Sequence, residues 1–150
     1  MSTRTATTDR SVASPRYKEV LQTKVSELIY VSADRLWEIV GPGFADAGTW
    51  STAVDHSVGS GAPQCDGAVC HDRQCDINAK GFNKISETLT EYDDGRRILA
   101  YDAHSGLPGF VLNVNNRWRV IEIGPNQSKL EMTITMRMKP LMGSLMGGLF

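Results

Sequence analysis

Apolar side chains take every second position near the end of the chain: Leu130, Met132, Ile134, Met136 and Met138 alternate with Glu131, Thr133, Thr135, Arg137 and Lys139. A period of two over this length predicts a strand across 128–139 with one buried and one wet face. Upstream, 110–123 reads as a long strand that Gly124-Pro125-Asn126-Gln127 turns back. Strands are also expected over 52–58, 65–76, 83–92 and 97–104, with turns at Gly59-Ser60-Gly61-Ala62-Pro63 and Asp93-Asp94-Gly95. Residues 17–31 are rich in β-branched side chains and predict the first strand. Ser32 then stands where a helix N-cap belongs, with Asp34 in the first turn. Leu36, Trp37, Ile39 and Val40 give that helix an apolar stripe, which Gly41-Pro42-Gly43 ends, and 44–50 predicts a second short helix. After Pro140, Leu141, Met142, Leu145, Met146, Leu149 and Phe150 return at helical spacing.

The expected order is strand, two short helices, about six antiparallel strands and a terminal helix. A sheet of that size must cover its apolar face, and the terminal helix is the element left to do it. A curved sheet only partly filled by a helix leaves a cavity, the usual place for a small molecule.

This order, with Val31-Ser32-Ala33-Asp34-Arg35-Leu36-Trp37-Glu38-Ile39-Val40, Trp50, Val54-Asp55-His56-Ser57, 67–73, Glu87-Thr88-Leu89-Thr90-Glu91-Tyr92-Asp93, Tyr101 and Pro108, resembles the helix-grip superfamily of START-like and birch-pollen-allergen-like proteins. Within it, the chain is most similar to the polyketide cyclase/dehydrase and lipid-transport branch. The resemblance spans about 19–140. It implies an α+β helix-grip fold: a curved antiparallel sheet of about seven strands around a C-terminal helix, with two short helices after the first strand. It implies a cavity rather than one activity, because cyclases, carriers, receptors and regulators share the fold. The sequence departs from the family pattern twice. Ten residues follow Pro140, about 15 Å of helix, so the domain over 17–150 is expected to lack the end of its terminal helix. Cys70 stands where the resemblance leads one to expect a basic residue.

The 150 residues carry 16 Lys+Arg against 17 Asp+Glu, a net charge of −1. That balance argues against nucleic acid as the main partner, and the sequence has no apolar run long enough for a membrane span. Residues 1–16 read as a flexible polar tail without the apolar stretch of a secretory signal. Together with three cysteines expected to be reduced thiols, this points to the cytoplasm. Homo-oligomerisation is left open.

Glu87 shares a strand face with Ile85 and Leu89, so its carboxylate is expected on the apolar side. There it could serve as a general acid or base, or pair with Arg73 on the preceding strand. Arg73 could otherwise hold an anionic substrate group. Tyr101 is the second candidate for moving a proton, and Trp50 a candidate for the cavity mouth. Asn116 lies in register with Leu112, Val114, Trp118 and Val120; an inward amide needs a local partner or a ligand. The expected apolar lining is Leu112, Val114, Trp118, Leu130, Met132, Ile134 and Met136. Cys65, Cys70 and Cys75 carry no zinc or iron–sulfur spacing, and on one strand Cys65 and Cys75 would stand about 33 Å apart. No metal and no cofactor is expected. Two readings of the chemistry remain, a carrier or binder of a lipid, isoprenoid or polyketide-like molecule and a cyclase/dehydratase. A regulatory protein-binding module stands third.

Overall fold

The structure, a computed structural model, describes residues 20–139. The terminal helix expected after Pro140 and the tail over 1–16 lie outside them. The first strand, β1, is Val20–Ile29, and two helical pieces follow it: α1 (Ala33–Val40) and, after a 3₁₀ turn over Phe44–Asp46, α2 (Ala47–Trp50). Six strands follow among the described residues: β2 (Val54–Ser60), β3 (Asp72–Ile77), β4 (Lys84–Asp93), β5 (Ile98–Ser105), β6 (Val111–Gly124) and β7 (Gln127–Met138). They form one antiparallel seven-stranded sheet in the order β1-β7-β6-β5-β4-β3-β2.

The local reasons are those the sequence carries. The Ser32 side chain accepts a hydrogen bond from the Arg35 amide at 3.1 Å, and the Gly41 amide closes α1 on the Trp37 carbonyl. Leu36, Trp37 and Val40 face inward from α1, which packs on β6 and β7. They join Phe44, Leu89, Tyr92, Leu99, Tyr101, Val120 and Leu130 in the core. The Trp37 indole donates to Asp94 at 2.9 Å, tying α1 to the turn between β4 and β5.

Two expectations are corrected. The strand predicted over 65–76 is six residues long and begins only at Asp72. Gly61 and Gly67 both adopt positive φ (77° and 79°), and the Ala68 amide turns back to the Cys65 carbonyl at 3.2 Å. Residues 61–71 therefore fold as a loop, and the strand-rise separation of Cys65 and Cys75 does not apply. The second concerns Leu112. A register shift between Val111 and Asn113 makes Leu112 the extra residue of a β-bulge, so Val111, rather than Leu112, pairs on the inner face opposite Met138. Leu112 is exposed and Val111 buried.

Candidate functional site

Arg73 and Glu87 stand directly opposite each other on β3 and β4, on the inner face of the sheet. Both are buried, with 4% and 8% of their surfaces exposed. The Arg73 guanidinium donates from Nε and approaches from Nη2, each 2.6 Å from Oε2 of Glu87, and Nη1 donates to the Phe44 carbonyl at 2.8 Å. The Cys75 thiol lies 3.6 Å from the same Glu87 oxygen. Burial works against the positive charge on Arg73, but the adjacent carboxylate outweighs it, and the guanidinium is held above its ordinary value. The plane of the guanidinium lies over the Phe44 ring at 3.9 Å and near the Tyr101 ring at 4.9 Å. The pair is thus buried against Phe44 and Tyr101.

An aromatic wall runs from this pair across the sheet. Phe44 and Tyr101 are 5.6 Å apart, Tyr101 and Trp118 6.0 Å, and Trp118 and Trp50 5.8 Å. The Trp50 indole donates to the Gly43 carbonyl at 2.9 Å, which orients its ring toward Trp118. Burial, reinforced by the Glu87 charge, pushes the Tyr101 phenol above the ordinary tyrosine range. A phenol so held is a poor source of a proton.

Register then places the expected lining. Asn116 stands between Tyr101 and Ile134, Trp118 opposite Met132, Val114 opposite Met136 and Val120 opposite Leu130. Leu130 is in the core, whereas Val114, Asn116, Trp118, Met132, Ile134 and Met136 are half-buried. On this face the Trp118 indole nitrogen is fully covered and lacks a protein partner among the described residues, and the Asn116 amide is half-buried on the same face. The structure thus brings Trp50, Arg73, Glu87, Tyr101, Asn116 and Trp118 onto one continuous surface.

Phe44 and Cys75 belong to the same site, and sequence reasoning passed over both. Phe44 showed only as the start of a short helix; the 3₁₀ turn carries its ring and carbonyl over a strand 29 residues away. Cys75 shares the inner face of β3 with Arg73, and that parity, already present in the expected strand, was the signal that could have found it. Among the described residues no three His, Cys, Asp or Glu side chains converge as metal ligands.

The opposite face of the same strands is polar. There Thr88 donates to Asp72 at 2.6 Å and meets His104 Nε2 at 2.9 Å, beside a cleft of about 450 Å³ lined in part by Gln74 and Ser86.

The model of the family described as polyketide cyclase / dehydrase and lipid transport matches residues 21–150. The chain belongs to this family. Solved structures of the same fold include the Zhui aromatase/cyclase from Streptomyces sp. R1128, at 13% identity and a TM-score of 0.66, covering 81% of this chain and 70% of that one. Norcoclaurine synthase from Thalictrum flavum is similar at 17% identity and a TM-score of 0.66, over 88% of this chain and 78% of that one. A START superfamily protein from Mycobacterium smegmatis matches at 13% identity and a TM-score of 0.65, over 85% and 88%. No curated protein matches the chain in sequence. Among the described residues no helix is long and apolar enough to cross a membrane. Identities this low carry the fold alone.

Proposed function

We propose that this member of the polyketide cyclase/dehydrase and lipid-transport family binds a small apolar or aromatic molecule on the inner face of its sheet and does so as a carrier or binder. The observation that carries this reading is the enclosure of Glu87. Its Oε2 takes both Arg73 contacts at 2.6 Å and the Cys75 thiol at 3.6 Å, so the carboxylate serves as counter-ion to a buried arginine rather than as a base directed at a substrate. Tyr101, the other candidate, is buried against Phe44 and Trp118. The half-buried face of Val114, Met132, Ile134 and Met136 supplies apolar contact, and its methionines adapt to an irregular ligand shape. The Asn116 amide, half-buried on this face opposite Ile134, is the polar group available to orient an oxygen of that ligand. In this reading 17–150 is one helix-grip domain whose terminal helix, after Pro140, covers the site, and three free thiols fit a reducing cytosol.

Native mass spectrometry of the purified full chain, beside the same sample denatured, tests this. A stoichiometric mass released on denaturation is expected, together with weaker retention in Trp118→Ala. If no mass is released and no member of a panel of fatty acids, isoprenoids and aromatic polyketides raises the melting temperature, the binding reading fails.

A further inference from the structure

The two edges of the sheet are finished differently. β2 is seven residues long, has a register shift between Val54 and His56, and packs against α2 and the 3₁₀ turn. These features blunt an edge. β1 has none of them. It runs ten residues alongside β7, from Val20 opposite Arg137 to Ile29 opposite Ser128, without a register shift, proline or glycine. Among the described residues its outer edge pairs with nothing. Its apolar side chains are exposed on both faces: Leu21 (57%) and Val25 (37%) on one, Val20 (47%), Leu28 (50%) and the following Tyr30 (77%) on the other. An inner-face ligand site accounts for the first set at most.

We propose that β1 pairs antiparallel with β1 of a second copy of this chain, about a twofold axis through Val25, joining the two sheets edge to edge. A twofold axis perpendicular to a sheet keeps each side chain on its own face, so the numbers of facing residues must add to an even sum. The strand's own sequence selects among those sums. At 48, Lys24 faces Lys24 of the second copy, and at 54, Glu27 faces Glu27; like charges directly opposite destabilise the pairing. At 52, Val25 faces Glu27 and Leu28 faces Lys24. At 50, Val25 faces Val25, Leu21 faces Ile29 and Val20 faces Tyr30, while Lys24 meets Ser26 and Glu27 meets Thr23. That register pairs apolar with apolar everywhere but at Leu28, which faces Gln22, and opposes no like charges over about 34 Å of strand edge. The assembly closes at two copies, because among the described residues the edges left are the two blunted β2 strands.

Sedimentation velocity of the full chain across a concentration series should show a species of twice 16.5 kDa. Val25→Lys, which sets two ammonium groups face to face at the axis, should weaken dimerisation at least tenfold while leaving the circular dichroism spectrum unchanged. A second variant reads the register directly. Facing Cα atoms in an antiparallel pair lie about 4.5–5.5 Å apart, within disulfide reach, so Val25→Cys should cross-link to a dimer on mild oxidation. Gln22→Cys should not, since its two copies would stand about 20 Å apart; unmodified protein is the blank for the native thiols. A chain that stays monomeric throughout overturns the proposal, with its own N-terminal residues as one occupant of the edge. So does a dimer that survives Val25→Lys, or one cross-linked equally through Gln22→Cys.

Discussion

Replacing Glu87 by Gln separates a structural carboxylate from a catalytic one. The side chain keeps its volume but loses its charge, and the Arg73 guanidinium, 4% exposed, stays buried without a counter-ion. Hydrogen bonds to charged groups contribute about 1.5–3 kcal/mol each, and two nitrogens of Arg73 lie 2.6 Å from Oε2. The amide oxygen of Gln restores part of this as a neutral acceptor, so the net loss should be about 2–4 kcal/mol, at the lower side of what breaking a buried ion pair costs. At about 3 °C per kcal/mol for a chain of this size, the melting temperature should fall by roughly 6–12 °C. Urea unfolding with an unchanged m-value gives the free energy. The double variant Arg73→Met/Glu87→Leu removes both charges together, so it should be less destabilised than the sum of its single changes. It still forfeits the Phe44 carbonyl bond and the stacking on Phe44 and Tyr101. Ligand retention in native mass spectrometry should be unchanged in Glu87→Gln. A stability loss below about 0.5 kcal/mol, combined with loss of turnover on any polyketide substrate, would refute the reasoning and return Glu87 to acid–base chemistry.

The thiols provide a second test. Burial pushes Cys75 up to about 11 from an ordinary value near 9, Arg73 opposing and Glu87 reinforcing the shift, and burial raises Cys70 as well. A raised folded value means stability that is present below pH 9 and lost as pH climbs toward 11. Urea midpoints should therefore decline over that window, and Cys75→Ala should flatten the pH 9–10 part; above pH 10 the raised phenols of Tyr92 and Tyr101 add their own decline. At pH 8 a disulfide reagent should label half-exposed Cys65 in the native protein and reach Cys70 and Cys75 only on unfolding. Gly106 provides a third, since it has φ +80° and an added methyl carbon would fall 1.7 Å from the Lys84 carbonyl oxygen. Gly106→Ala should cost well over the ~1–2 kcal/mol of left-handed backbone alone. Gly81→Ala, at φ +90° with open space around it, should cost only that strain; equal urea midpoints for the two would refute the steric account.

Local chemistry along the chain was enough to order the elements. The Ser32 cap, the Gly41-Pro42-Gly43 stop and the strict alternation through β7 depend on neighbours within a few residues, and each stands in the structure where those neighbours put it. The same alternation set Glu87 among Ile85 and Leu89 and made Arg73 its natural partner, because faces of adjacent strands are a matter of parity. What needed the tertiary structure were features that parity cannot carry. One extra residue at Leu112 exchanges it for Val111 on the inner face, and a bulge is invisible to a period-two count. The loop over 61–71 departs from the strand pattern at glycines with positive φ, which ordinary turn and strand signals bracket but do not locate. Phe44 reaches the ion pair only because a 3₁₀ turn folds back over β3, a contact across 29 residues that no local signal encodes. The unequal edges of the sheet follow for the same reason: α2 shields β2 only after the chain has closed on itself, and among the described residues no element covers the outer edge of β1.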